Sequence, residues 1–512
     1  MTFSFEVRES DLMGRTGVLK AGGKTLQTPC LFPVIHPVNQ AVTTRELKSM
    51  GFGGLMTNSY IIGSRRRQEA LTKGIHAMLD FDGVFMTDSG GYQVLEYGDL
   101  ATDYRQVASF QAAIGSELAV TLDKPTGFSE SESYARSTMR LSLANAVATM
   151  KEFGKEKTTW VGPVQGGLFT RLLEKSAGSL VEAGFEFLAL GSPVQVMESY
   201  RFADLVKMII ATRRAVPYSV PLHLFGAGHP LTMALAVALG CDTFDSASYI
   251  LFARENRYMT ERGVTRLETM KFLPCSCRVC ESTSVKDLLE ADRGERTRSL
   301  AIHNLLVLKK EMESCKEAIA EGRLWDLVRE KASCHPSLAE ALAEFAGAGA
   351  LLREGTPAIK DRGLFVRDAY DRRRPELAEA GERLRAAMTR RPGTAVLISG
   401  ADALPFEMLR LTARLPKGAD VYKLHPTLGP YPVELDFVYP FTQTVCSPGA
   451  YQSEAKEAVR RLRSLGYSRV RLISMRAGTG RGPAPPRSRR RSKAPSPSAP
   501  SSSSRPRSPR RP

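Results

Sequence analysis

Short apolar, β-prone runs ending in Gly, Ser, Asp or Gln recur through the first half of the chain, and longer helix-like stretches separate most of them. The runs are CLFPVIH (30–36), GLMTNSY (54–60), GVFMTDSG (83–90), LAVTLDKPTG (118–127), TWVGPVQGG (159–167), FEFLALGSP (185–193), PLHLFGAGHP (221–230) and CDTFDSAS (241–248). The intervals carry amphipathic stretches such as ESYARSTMRLSLANAVATMKEF and TRLLEKSAGSLVEAG. Eight such units predict an α/β fold, a (β/α)8 TIM barrel; a doubly wound open sheet is the alternative that periodicity leaves standing. In a barrel, the polar strand ends converge on one face, where active sites sit.

The pattern changes after the eighth run. A cysteine-rich segment at 275–303 reads as an insertion belonging to a catalytic domain of residues 1–340. Residues 341–476 read as a smaller α+β domain, with apolar runs VLISG and RVRLISM around VYKLHPTLGPYPVELDFVYPF. From 477 to 512 the chain is Arg, Ser and Pro with no apolar period, which predicts a disordered tail. No apolar run is long enough to span a membrane. The opening MTFSFEVRESDLMG has acids and no apolar core of the signal-peptide type, so a cytoplasmic location is expected.

Charge sharpens this division. The 512 residues carry a formal net charge of +17, and the tail supplies ten Lys plus Arg with no acid, leaving about +7 for the rest. A basic body with a basic tail suits a polyanionic partner, and the tail reads either as a solvated extension or as a non-specific RNA-binding arm.

Three of the eight cysteines crowd into CSCRVC. Cys275, Cys277, Cys280 and His303 form C-x-C-x2-C-x22-H, which offers three thiolates and one imidazole. That set closes a tetrahedral zinc shell with no open position, so one structural Zn2+ per chain is expected. Two acids end apolar runs, Asp88 in MTDSGG and Asp245 in TFDSAS, with Asp123 in TLDKPTG as a third. Paired carboxylates facing one pocket can divide work at a glycosidic carbon, one attacking it and the other moving a proton. Beside Asp88 stand Ser89, Gly90 and Gly91, where missing side chains would let a flat ligand near the backbone. Tyr92 offers a stacking ring, Gln165 a donor and acceptor for an amide-like edge, and FLALG the backbone of a strand end. A planar heterocycle such as a nucleobase fits that combination.

The motifs DSGGYQV, VQGG, LALG, FDSAS and the Cys3His spacing, in this order, resemble the tRNA-guanine transglycosylases over about residues 1–340. LDFDGVFMTDSGGYQVLEYGD, the 22-residue gap before His303 and the HPTLGPYPVELDFVYPF region are similar to the archaeal branch. The resemblance implies exchange of guanine for 7-cyano-7-deazaguanine (preQ0) at position 15 of the tRNA D-loop, the first committed step towards archaeosine. It implies that Asp245 is the nucleophile on the ribose C1′ and that Asp88 is the general acid/base. It further implies that Asp123 and Gln165 recognise the base edge, that Leu188 and Ala189 add backbone contacts, and that Tyr92 stacks. A homodimer is implied as well. Archaeal members commonly end in an RNA-binding PUA domain; here the basic tail stands in that place, so the grip on tRNA falls to the tail or to a separate PUA-domain chain. Rival readings are the same chemistry at an anticodon or in DNA, a non-catalytic RNA-binding subunit, and a glycoside hydrolase. Both acids being present argues against the subunit, and the zinc spacing argues against the hydrolase.

Overall fold

A computed structural model describes residues 3–91, 103–128, 131–400, 415–447 and 454–475. Tyr92 and the tail at 477–512 therefore lie outside the described residues.

The chain opens with an antiparallel sheet, β1 (Phe3–Asp11), β2 (Gly14–Ala21) and β3 (Lys24–Thr28). Eight parallel strands follow: β4 (Cys30–Pro33), β5 (Gly54–Asn58), β6 (Val84–Asp88), β7 (Leu118–Val120), β8 (Thr159–Val164), β9 (Leu188–Leu190), β10 (Leu222–Leu224) and β11 (Thr243–Ser246). Their hydrogen-bonded order is β4-β11-β10-β9-β8-β7-β6-β5. A parallel bridge between Val34 and Met56, with Ile35 N donating to Met56 O at 2.8 Å, joins the two ends of that order. This closure decides for the barrel, because a doubly wound sheet keeps two edges. Each predicted run holds one of the eight strands.

Period-two alternation sorts the strand residues into two cores. Phe32, Met56, Val84, Met86, Leu118, Val120, Val161, Phe187 and Ala189 fill the barrel, with Phe3, Leu19, Ala21 and Leu26 of the opening sheet packed beneath them. Phe85, Leu188, Leu190, Leu222, Leu224 and Phe244 face the helices instead. The helix Pro230–Ala238 is buried at every position, so its sequence PLTMALAVA is apolar all round. The helix Glu132–Phe153 is the amphipathic case, capped by the Ser131 side chain, which accepts from Tyr134 N.

Beyond the barrel, β12 (Arg257–Thr260) and β13 (Gly263–Arg266) form a hairpin against the long helix Arg293–Ala320. Leu338, Phe345 and Leu352 still belong to the barrel's outer apolar layer. Further along, β14 (Leu364–Val366) precedes β15 (Thr394–Ser399), β16 (Asp420–His425), β17 (Gly429–Pro432), β18 (Thr444–Cys446) and β19 (Arg469–Ser474). A mixed sheet of order β17-β16-β15-β19 packs against the helix Ala455–Ser464, while β14 pairs with β18. A buried ion pair and a buried hydrogen bond tie this part to the barrel: Lys360 Nζ reaches Asp11 Oδ1 at 2.6 Å, and Trp325 Nε1 donates to Asp371 Oδ1 at 2.8 Å.

Candidate functional site

The alternation that fills the barrel also aims the acids. Val84 and Met86 point inward on β6, so Asp88, two residues on, points inward at the strand's C-terminal end. Phe244 faces the helices on β11, so Asp245 faces the barrel. His223, between the outward Leu222 and Leu224 of β10, is fully buried inside it.

Asp245 is held by one oxygen. Its Oδ1 accepts from Gly226 N at 2.8 Å and lies 3.1 Å from His223 Nε2. A carboxylate only accepts, so His223 carries its proton on Nε2, and Nδ1 accepts from the Thr243 hydroxyl at 2.8 Å. Among the described residues, no hydrogen bond reaches Oδ2 of Asp245. The side chain is therefore fixed in orientation with one oxygen uncommitted. His223 sits in PLHLFGAGHP but was not singled out by sequence; its signal is a lone polar residue at the inward parity position of an apolar strand.

Asp88 accepts from Asn58 Nδ2 at 2.9 Å, the Ser59 hydroxyl donates to its carbonyl at 2.8 Å, and the amides of Ser89 and Gly90 favour its charged form. Asn58 is another inward strand-end residue, paired in register with Asp88. Burial, then the neighbouring carboxylates of Asp123 and Asp245, push Asp88 up to about 7. Burial pushes Asp123 up to about 6, although hydrogen bonds from Gln165 and Ser89 pull the other way. Three carboxylates crowd one barrel mouth, and a group titrating near neutrality can both give and take a proton.

Asp123 is oriented by Gln165 Nε2, which donates to its Oδ2 at 2.6 Å, and by Ser89 Oγ at 3.5 Å from Oδ1. The Gln165 carbonyl oxygen accepts from Thr126 N at 3.1 Å and Ser192 Oγ at 2.9 Å. Gln165 thus spends one N–H on aligning Asp123, while Thr126 and Ser192 occupy its carbonyl oxygen. The glycines have a comparable task. A Cβ at Gly90, whose φ is +90°, would come within 2.5 Å of Tyr60 Cβ; one at Gly91 would come within 2.5 Å of the Asp123 carbonyl oxygen and 2.7 Å of Asp123 Oδ1. The space beside them is filled by Tyr60 and Asp123, so their small size draws the β6 and β7 loops together. Leu188 and Ala189 lie in β9, and Ala189 stands opposite His223 in register. Both are paired in register with β8 and β10, and Leu188 N donates to Pro221 O. Past the end of β9, it is Ser192 that reaches Gln165.

The sulfur and nitrogen atoms of Cys275, Cys277, Cys280 and His303 all lie within 4.8 Å of one another. Cys277 Sγ is 3.6 Å from Cys280 Sγ and 3.5 Å from His303 Nδ1, and Cys280 Sγ is 3.4 Å from that nitrogen. Tetrahedral zinc, with Zn–S about 2.3 Å and Zn–N about 2.0 Å, sets ligand atoms roughly 3.5–3.8 Å apart, so the donor set fits. His303 Nε2 donates to Met259 O at 2.8 Å, which turns the Nδ1 lone pair toward the thiols. The Tyr258 ring stacks on His303 at 3.7 Å, and its hydroxyl lies 3.2 Å from Cys280 Sγ. Asn304 accepts from Met259 N at 2.9 Å and donates to Tyr249 O and Arg257 O, each at 3.2 Å. The site therefore joins the β12–β13 hairpin, the cysteine segment and the long helix. No helix among the described residues is long and apolar enough to cross a membrane.

Residues 10–337 match the family model described as "TGT: Queuine tRNA-ribosyltransferase". The chain is similar to a tRNA-guanine(15) transglycosylase of Sulfolobus acidocaldarius, at 37% identity over 449 residues, covering 87% of this chain and 89% of that protein. A tRNA-guanine(15) transglycosylase of Aeropyrum pernix is 40% identical, covering 86% of this chain and 87% of the relative. One from Thermococcus kodakarensis is 39% identical, again over 86% of this chain but 71% of that longer relative.

Proposed function

The chain belongs to the tRNA-guanine transglycosylase family, and from that premise we propose that it exchanges guanine 15 of tRNA for preQ0 through a ribosyl-aspartate intermediate. The observation that carries the reading is the pairing of two differently held acids. Asp245 is locked by one oxygen with the other uncommitted, and Asp88 beside it titrates near neutrality.

In this mechanism the target nucleotide leaves the tRNA stack and enters the barrel mouth. Asp245 Oδ2 attacks C1′ of the ribose; the C1′–N9 bond breaks and its electron pair goes to the base. Protonated Asp88 supplies the proton, so guanine departs neutral. The ester between Asp245 and C1′ keeps the tRNA attached without hydrolysis. The incoming base then loses its N9 proton to Asp88, its nitrogen attacks C1′, and Asp245 leaves. Two inversions give retention at C1′. Asp123, aligned by Gln165, accepts from the N–H groups of the base edge, and His223 keeps Asp245 in its attacking orientation.

Cys275, Cys277, Cys280 and His303 would hold one zinc, which takes no part in the exchange and fastens the segment around β12. The same proposal divides the chain into residues 1–340, 341–476 and 477–512. It includes a cytoplasmic homodimer gripping tRNA through the basic tail or a separate PUA-domain chain.

The pH dependence follows from the acids. Asp88 is protonated below about 7, the state that donates to departing guanine. Guanine release from the enzyme–tRNA complex is therefore expected to fall roughly tenfold per pH unit above about 7. Below about 6, protonated Asp123 no longer accepts from the base, and the rate falls again. A single-turnover pH profile checks this, and Asp88→Asn should flatten the alkaline limb at a much lower rate. The reaction itself is tested by following labelled guanine release in the presence of preQ0 from matched transcripts. Release that disappears only when G15 is replaced supports the reading; release that depends on an anticodon guanine contradicts it.

A further inference from the structure

After β9, residues 191–201 pass through two left-handed backbone positions that are not glycine, Ser192 at φ 61° and Tyr200 at φ 56°. A tyrosine there carries a steric cost, and such positions persist where surrounding bonds impose them. Here the bonds are visible. Ser192 Oγ donates to Gln165 and accepts from Gly127 N at 3.1 Å, and Gln195 Oε1 accepts from Phe128 N at 2.6 Å. A continuous chain of hydrogen bonds thus runs from Asp123 in the pocket, through Gln165 and Ser192, to the loops that carry Phe128 and Tyr200.

What those loops present is aromatic and planar. Phe128 is 39% exposed, and the Arg201 guanidinium lies 4.7 Å from its ring centroid. Arg201 is bound to Asp204 at 2.6 Å, so its charge is already matched and its plane is steadied over the ring. Tyr200 is 44% exposed and stacks on His335 with centroids 4.9 Å apart and planes 22° from parallel. Phe128 stacks with Arg201 and Tyr200 with His335, and because Tyr200 and Arg201 are chain neighbours the two pairs form a short row beside the ends of β7 and β9.

We propose that this row is a stacking platform for the unpaired RNA bases flanking the nucleotide drawn into the pocket. The inference rests on the exchange reading above. Pulling one base out of a stack strips its neighbours of their partners, and aromatic rings and guanidinium planes replace those partners whatever the base. The matched charge of Arg201 makes it a flat surface and a weak phosphate clamp. The bonded chain back to Asp123 sets the platform in register with the pocket.

The test uses full-length enzyme and tRNA transcripts carrying 2-aminopurine on either side of the exchanged guanine. Wild type should quench the probe on binding. Phe128→Ala, Phe128→Leu and Tyr200→Ala should each lose much of that quenching and raise KM for tRNA about tenfold, with kcat and KM for the incoming base changed less than about twofold; Phe128→Tyr should restore both. Leu keeps the apolar bulk without the π face, which separates stacking from packing. Unchanged quenching and unchanged KM in the Phe128 and Tyr200 variants would overturn the platform. Wild type that quenches the probe but releases no guanine would refute the exchange reading and leave the platform supported.

Discussion

Asp245→Asn is expected to fold, keep its metal and lose guanine exchange by at least about a thousandfold, the scale seen when a covalent nucleophile is removed. Folding should survive because both bonds that hold Asp245 end on Oδ1. The amide oxygen of Asn can accept from Gly226 N and from His223 Nε2 in the same way. The change falls on Oδ2, which becomes an NH2 group with no lone pair for C1′. Binding of tRNA should persist, since the change swaps one atom and leaves Asp88, Asp123 and Gln165 in place. A gel-shift titration beside a labelled-guanine release assay reads both quantities. Exchange near the wild-type rate in a folded Asp245→Asn protein would move the nucleophile elsewhere.

Loss of the Cys3His centre is expected to show first in stability. Metal binding that the unfolded chain cannot reproduce is folding free energy. Cys277→Ala removes a thiolate that lies within 3.6 Å of both Cys280 Sγ and His303 Nδ1. The His303 ring, buried and stacked on Tyr258, would keep its bond to Met259 O but lose the charge that Nδ1 faces. A loss of about 5 kcal/mol corresponds to a fall of roughly 7 °C in Tm for a folded unit of about 340 residues, at about 2.1 cal/mol/K of unfolding entropy per residue. Metal analysis and thermal melts of wild type, chelator-treated protein and Cys277→Ala should agree, with bound zinc and Tm lost together. A metal-free variant with unchanged Tm and full exchange would contradict a structural centre. The two variants also separate the roles, because Asp245→Asn should retain zinc and Tm while Cys277→Ala loses both.

The barrel was legible because its strands are buried on both faces. Parallel strands of that kind read as apolar runs, and each of the eight runs holds a strand. The opening antiparallel sheet was not read, since β1, with the sequence FSFEVRESD, mixes acids and a basic residue into its exposed face and resembles a polar leader. The hairpin of β12 and β13 is four residues a side and lacks a periodic signal. The metal donors could be read because thiol chemistry leaves a spacing in the sequence, and the four donors do meet in space. Other parts of the site depend on which face a residue occupies, which motifs do not carry. His223 and Asn58 are single polar residues in apolar strands, visible only once inward parity is known. Gly90 and Gly91 looked like room for a ligand; their room is taken by Tyr60 and Asp123, a contact between loops that sequence separation hides. LALG does not reveal where the strand stops, and β9 ends at Leu190.

The division of labour between the two acids is the centre of the account. The most direct measurement is to mix enzyme with tRNA in the absence of incoming base, denature rapidly, digest, and map the ribosylated peptide by mass spectrometry. A tRNA adduct is expected on the peptide containing Asp245, formed by wild type and by Asp88→Asn at a reduced rate, and absent from Asp245→Asn. An adduct on the peptide carrying Asp88, or guanine release by wild type with no adduct at any pH, would contradict it.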